Sequence, residues 1–415
     1  MRDPKKNVER HALTRREFAG LALAAPLAFH LSACSSSDSD DGKETPSGAV
    51  LPSGAVLLGL YTGGGSGALE RAARRLDFSW LKQGDSVLIK VAANSGLPHP
   101  STTSVNGVAA MVQALKARGA GRVIVADQSG VEHVRNSRQG RYGSTRESFT
   151  QSGLIRVEQA GAETHFFDEQ PFDTGYFAAT LPTDNRWPRG LYLPNILKEV
   201  DHVVYMPRIG AHVLAGNTLG QKMAIGWLRD DSRHDLHNDA EQFYEKYAEI
   251  NHAQELQSRL RLIVTVSERV LLHGGPDRGT PYDMTPVLVH ASSALANHDA
   301  LGTSILTTLN QQVTTVAEGA LVYNPSFAPT INRVFADGAA VATGPAGRWI
   351  SESQQTVYTA HSWERSPADD RALSRGWALS GGKPAQITIV TDGATLDTAL
   401  QSALAAHGDG LYEFA

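Results

Sequence analysis

The chain has 415 residues, 41% of them hydrophobic, with 38 Lys+Arg against 43 Asp+Glu, 15 His and one Cys. This length can bury a sizeable core, as two domains or as one of roughly 150–250 residues with additions, and the formal charge of -5 argues against nucleic acid as a partner, which needs a basic face. A single cysteine excludes an all-cysteine iron–sulfur cluster within the chain, an intrachain disulfide framework and a Cys-rich zinc site, and no apolar run reaches the roughly 18 residues of a membrane span.

The N-terminus reads Thr14-Arg15-Arg16-Glu17-Phe18, then a weakly apolar stretch of small residues that ends in Leu31-Ser32-Ala33-Cys34. Paired arginines, an aromatic residue and a short apolar segment resemble a twin-arginine export signal, whose partner during export is the twin-arginine translocase. Leu-Ser-Ala-Cys resembles a bacterial lipobox, which makes Cys34 the expected lipidation site after removal of residues 1–33. The other reading is a buried N-terminal helix with a chance arginine pair. Residues 34–54 include the run Ser35-Ser36-Ser37-Asp38-Ser39-Asp40-Asp41-Gly42, too polar to bury and suited to a flexible tether. Loss of residues 1–33 removes six Lys/Arg and three acids, so the charge of -5 becomes -8. The expected location is periplasmic or otherwise outside the cytoplasm, with the membrane held through the lipid alone. Ser35 after the cysteine favours the outer membrane in a two-membrane host.

Apolar runs then alternate with amphipathic patterns. Residues 55–61 read as a buried strand, 62–67 as a glycine turn, 68–76 as a helix and 87–91 as a second strand. Residues 105–118 carry Val108, Met111, Val112 and Leu115 at helical spacing before Gly119, and 122–127 read as a third strand. A polar loop is expected at 135–150, a strand at 202–206, a charged helical insertion at 241–260, a strand at 261–266 and a helix over most of 288–309. Residues 338–377 read as loop-rich, and 386–390 with 396–406 as a last strand–helix unit. Strand–helix–strand alternation predicts an α/β fold: a doubly wound, mostly parallel sheet with helices on both faces over 55–325. Residues 326–415 are expected to form a small C-terminal α+β extension.

Several segments carry a family resemblance in order. Gly84-Asp85-Ser86-Val87-Leu88-Ile89-Lys90 is a strand that ends in Lys, with Val91-Ala92 where Pro-Asn is usual. A second piece is Gly119-Ala120-Gly121-Arg122-Val123-Ile124-Val125-Ala126-Asp127. Between Asp201 and Gly226, a strand precedes Pro207, His212, Thr218, Lys222 and Gly226, with Gly210-Ala211 in place of Lys-Thr and Met223 in place of Asn. Gly275-Pro276-Asp277-Arg278-Gly279 matches a Gly-Pro-x-x-Gly element. Over roughly residues 82–309 the chain resembles the family known as domain of unknown function 362. The resemblance implies functional roles for the matched positions, among them Thr218 and Gly275 as cofactor contacts. Many members carry ferredoxin-like cysteine clusters; this chain has no iron–sulfur cluster of that kind.

Lys90 ends a parallel strand, where open α/β sheets place their binding crevice. It suits an anion ligand or a base, or equally a Lys that snorkels at the sheet edge. His212 and Lys222 suit an acid/base group and a counter-charge on one ligand. His273 sits on a loop after a strand and joins them as a catalytic candidate. In the polar run 230–239, Asp230, His234 and His237 share a face if the run is helical, a donor set suited to a divalent transition metal. A solvated loop is the competing reading, which Arg233 favours. Gly63-Gly64-Gly65-Ser66-Gly67 suits a phosphate cradle at a helix N-terminus but lacks the P-loop and dinucleotide spacings, so a plain strand-to-helix turn is the favoured reading. His298-Asp299 reads as a core pair in preference to a group that orients a metal or a base. No Gly-x-Ser-x-Gly elbow or His-Glu-x-x-His helix is present. The favoured reading is an enzyme or metal protein that handles a small, anionic molecule at the strand ends. The alternative is a non-catalytic lipoprotein that binds a ligand or partner.

Overall fold

A computed structural model describes residues 49–212, 215–237, 239, 241–317 and 366–415. The export signal, Cys34 and most of the tether lie outside the described residues. Strand β1 (Val56–Tyr61) is buried along its whole length and leads into helix α1 (Gly64–Ala72). Then follow β2 (Ser86–Val91), α2 (Val105–Ala117) and β3 (Arg122–Asp127). The expected polar loop is a hairpin of β4 (Arg135–Ser137) and β5 (Gly140–Tyr142), followed by α3 (Thr145–Ser152). β6 (Glu163–Phe166) comes next, then a second hairpin of β7 (Tyr176–Ala178) and β8 (Tyr192–Pro194), and α4 (Ile196–Glu199).

β9 (His202–Met206) precedes the short antiparallel pair β10 (Gly210–His212) and β11 (Gly216–Thr218). Helices α5 (Gly220–Met223), α6 (Asp230–His237), α7 (Phe243–Ile250) and α8 (Gln254–Gln257) follow. Long strands β12 (Leu260–Leu272) and β13 (Thr280–Ser292) then lead to α9 (Leu295–Gln312). After the undescribed stretch come α10 (Arg371–Leu379), β14 (Ile387–Gly393), α11 (Thr398–Gly408) and β15 (Tyr412–Phe414).

The main sheet runs β15-β14-β1-β13-β12-β9-β2-β3-β6. Along that path its pairs are parallel except β1 with β13 and β13 with β12; off the path, β10 pairs antiparallel with β11 and parallel with β12. Alternate residues of one strand feed opposite faces, as the two-residue period requires. Val87, Ile89 and Val91 of β2 pack with α1 and α2, whereas Leu88 joins Tyr205, Trp227 and the α7 aromatics on the other side. Cover on both faces explains the continuous apolar runs that made these strands legible.

Two sequence expectations change. The helix expected from residue 288 begins at Leu295, because Val287–Ser292 is the buried half of β13. Pro281 and Pro286, which lack N–H donors, disguise that strand. In addition, β14 pairs with β1 and buries Ile387 and Ile389 against α9 and α10. The described part of the extension expected over 326–415, residues 366–415, therefore shares the sheet and core of the main domain.

The glycine turn is indeed structural. Pairing of β12 with β13 shifts register between Ser267 and Arg269, and Glu268 in that gap faces two helix starts. Its carboxylate accepts bonds from Gly65 N at 3.1 Å, Ser104 Oγ at 2.6 Å and Asn106 Nδ2 at 2.9 Å. Burial alone would raise its pKa, but these donors outweigh burial and hold it below the usual glutamate value. The protein's own anion thus fills the place a phosphate would take. Glu268→Ala should lower unfolding free energy by about 1–2 kcal/mol, the scale of a lost helix cap, as read by urea denaturation.

Candidate functional site: a cationic cleft at the sheet's switch point

From β2 the chain moves outward to β3 and β6, then returns to β9 on the other side of β2. The carboxyl ends of β2 and β9 therefore flank a topological switch point, where open α/β sheets bind ligands. A cleft with a cavity volume of about 110 Å³ lies there, room for several waters or one small ion. Lys90, Thr218, His212 and Lys222 all line it, so the candidate positions from separate segments converge.

Lys90 is not the free cation that its strand-end position implied. Its side chain is 1% exposed, and Nζ lies 2.5 Å from Asp127 Oδ1, 3.0 Å from the Val91 carbonyl and 3.2 Å from the Met223 carbonyl. These acceptors use all its N–H groups. Burial pulls its pKa down, against the attraction of Asp127. Asp127 is fixed in turn by the Ala93 N–H at 2.7 Å. Lys90 is thus a positioning residue that fastens the α5 turn to the sheet. Gly226 shows how closely the parts fit: a Cβ there would sit 2.3 Å from Asp127 Oδ1 and 2.7 Å from Lys90 Nζ.

Lys222, one residue before the carbonyl that Lys90 holds, has no hydrogen bond or ion pair of its own among the described residues. Burial and the neighbouring Arg208 and Arg233 charges lower its pKa to about 7, against Asp277 and Glu132. Its turn is held from the other side by Asp299 of α9, whose oxygens accept from Gly220 N at 2.9 Å and Gln221 N at 2.6 Å. Burial raises the Asp299 pKa to about 8 despite those bonds. His298 bonds Asp299 at 2.7 Å and Thr265 Oγ1 at 3.0 Å, as expected for a core pair.

Arg208 and Arg233 complete the positive lining, and neither was singled out as a ligand group from sequence. Arg208 is buried and gives N–H groups to the Pro100 and Pro276 carbonyls at 2.9 and 2.7 Å, with no carboxylate paired to it among the described residues; burial lowers its pKa to about 10. A Cβ at position 210 would lie 2.5 Å from Arg208 Nη1. Glycine in place of the family's Lys therefore makes room for a guanidinium from two residues upstream. Arg233 joins Asp230 Oδ1 at 3.4 Å and the Ser129 carbonyl at 2.7 Å, and its buried Nε has no partner. His212 accepts from Ala215 N at 3.2 Å, and burial with the Lys222 and Arg208 charges keeps it neutral.

The expected metal set does not form. α6 is helical, but Asp230 turns inward to Gln128 Nε2 at 2.8 Å, Asn136 N and Arg233, while His237 Nδ1 meets the Arg233 carbonyl at 2.7 Å. His237 lines the cleft and His234 does not. Among the described residues, the group of three with metal-ligand spacing is Glu132, His133 and Asp277, whose ligand atoms lie within 4.8 Å of one another. Asp277 belonged to the Gly-Pro-x-x-Gly element; Glu132-His133 had no sequence signal beyond residue type.

His273 and Gly275 also lie outside the cleft lining. His273 is buried, its N–H bonded to Asn310 and its Nδ1 3.0 Å from Thr280 Oγ1. Gly275 has φ +123°, and a Cβ there would meet the Ala211 carbonyl at 2.3 Å, so its role is close backbone approach. Its neighbour Pro276 reaches the cleft.

Lys90→Met should cost about 3–5 kcal/mol by leaving Asp127 buried and unpaired. Lys90→Met with Asp127→Asn should cost less than the sum of the single changes, a comparison that a denaturant double-mutant cycle makes directly.

No curated protein matches this chain in sequence. Among solved structures it is similar to a protein from Thermotoga maritima, at 14% identity and TM-score 0.34, over 51% of this chain and 53% of that one. It is also similar to the lactate racemase apoprotein from Thermoanaerobacterium thermosaccharolyticum, at 12% identity and TM-score 0.44, over 86% and 87% of the two chains. The model of the family described as "Domain of unknown function (DUF362)" matches residues 87–304. That match spans over half of the chain, carries the motif positions that meet in the cleft, and places this protein in the domain of unknown function 362 family.

Proposed function

We propose that the protein is an exported, lipid-anchored enzyme that binds a small anion in the switch-point cleft and uses Lys222 as its acid–base group. The observation that carries this reading is the charge balance of the lining. Lys90 is neutralised by Asp127 and Arg233 shares Asp230 at 3.4 Å, but among the described residues no carboxylate makes an ion pair with Lys222 or Arg208, and Glu132, the other acid of the lining, acts on Lys222 only from a distance. Two cations without an ion-pair partner among the described residues, in a partly enclosed pocket, attract an anion more strongly than the same groups in water. A lysine near pKa 7 exchanges its proton readily at neutral pH. A neutral His212 beside it, whose Nδ1 already accepts from Ala215 N, carries its proton on Nε2, the nitrogen able to donate to an anion.

The cavity restricts the ligand to a small molecule, with a carboxylate or phosphate group facing Arg208 and Lys222. The lipid anchor rests on residues 31–34, and no described helix is long and apolar enough to cross a membrane. Export through the twin-arginine translocase rests on Arg15 and Arg16.

Lys222 is charged below pH about 7 and loses its charge as pH rises through that value. Affinity for inorganic phosphate and for small carboxylates, measured by calorimetry, should therefore fall across that window. Lys222→Met should weaken binding by about 10- to 100-fold at lower pH, the scale of one charge-assisted bond, and should remove the pH step. Unchanged affinity in both Lys222→Met and Arg208→Met would contradict the reading. Anion binding without turnover of any small hydroxy or phospho acid would favour the binding-protein alternative. Separately, Cys34→Ser should move the exported protein from the membrane to the soluble fraction.

A further inference from the structure

The geometry points to a divalent transition-metal site beside this cleft, formed by Glu132 of its lining with His133 and Asp277. The three residues offer one imidazole nitrogen and two carboxylate oxygens, all within 4.8 Å of one another. That mixed set suits zinc, a borderline ion, and also manganese, which accepts an imidazole beside its oxygen ligands, better than calcium or magnesium, which take oxygen ligands. His133 Nε2 and Asp277 Oδ2 stand 2.7 Å apart. An ion bound at about 2.1 Å from each ligand holds those atoms roughly 3–3.5 Å apart, so they need to separate by less than about 1 Å.

Three further observations support the assignment. Asp277 is already oriented as a ligand carboxylate should be: Asn94 Nδ2 holds its other oxygen at 2.7 Å, and Ser101 Oγ holds its backbone carbonyl at 2.9 Å. Glu132 lines the cleft, yet among the described residues no hydrogen bond or ion pair engages its carboxylate. Charge also balances: two carboxylates neutralise a divalent ion, which leaves Arg208 and Lys222 to hold the anion. Three protein ligands leave coordination positions open for water or an anion.

The site is independent of the anion reading and is tested separately. The mature protein is stripped with a chelator, then titrated with zinc and with manganese in equilibrium dialysis, with bound metal measured by elemental analysis. About one equivalent of at least one ion is expected. Glu132→Gln and His133→Gln should each weaken that binding at least tenfold, while His234→Gln leaves it unchanged. Glu132→Gln removes no hydrogen bond seen in the fold, and thermal melts of each variant identify loss through misfolding. No stoichiometric binding of either ion would overturn the site. So would binding that survives both substitutions, or that is lost in His234→Gln. Phosphate calorimetry on Glu132→Gln separates the two ideas: retained anion binding with lost metal leaves the cationic cleft standing.

Discussion

The buried pair between Lys90 and Asp127 is the constraint on which the cleft depends. It lies where the sheet reverses its strand order, between the carboxyl ends of β2, β3 and β9. A charge pair withdrawn from water earns little stability by itself, and it holds only when its remaining donors and acceptors are satisfied. Here they are: the Lys90 ammonium also binds two backbone carbonyls, and Asp127 takes a backbone N–H. One of those carbonyls belongs to Met223, so the pair fixes the turn that carries Lys222. Gly226 closes over it at a distance that admits no side chain.

A second fastening reaches the same turn from the opposite element. Asp299 of α9 accepts the first N–H groups of α5, and His298 ties Asp299 back to Thr265 of β12. Held from the sheet on one side and from α9 on the other, Lys222 meets Arg208 and Arg233 with no ion-pair partner among the described residues, and Asp277 and Glu132 offset them only from a distance. Its lowered pKa follows from that imposed position. The electrostatic character of the cleft is thus a product of packing, and polar groups that look structural set its chemistry.

Most of the parallel sheet was legible in the sequence because strands covered on both faces are apolar throughout, and helices such as 105–117 show their period openly. β13 was not, because two prolines and an exposed first half break its pattern while the buried second half runs into a helix. The site was legible in part. Lys90, His212, Thr218 and Lys222, taken from separate motifs, line one cleft, whereas His273 does not, and a strand-end Lys reads the same whether its charge is free or consumed by Asp127. Asp230, His234 and His237 do share a helix; which way Asp230 turns depends on Gln128 and Asn136, more than 90 residues away. Arg208 was hidden for a related reason, since the significance of Gly210 appears only when the guanidinium is seen above it.

The central claim is that Lys222 is an uncommitted, perturbed lysine that meets an anion. NMR of protein labelled at the lysine ε-carbons measures this directly, with Lys222 assigned by its loss in Lys222→Met. The expected result is a titration near pH 7 in the free protein, which moves upward when phosphate or a small carboxylate is added, because a neighbouring anion favours the ammonium form. An ordinary lysine value near 10.4, indifferent to added anion, would contradict it.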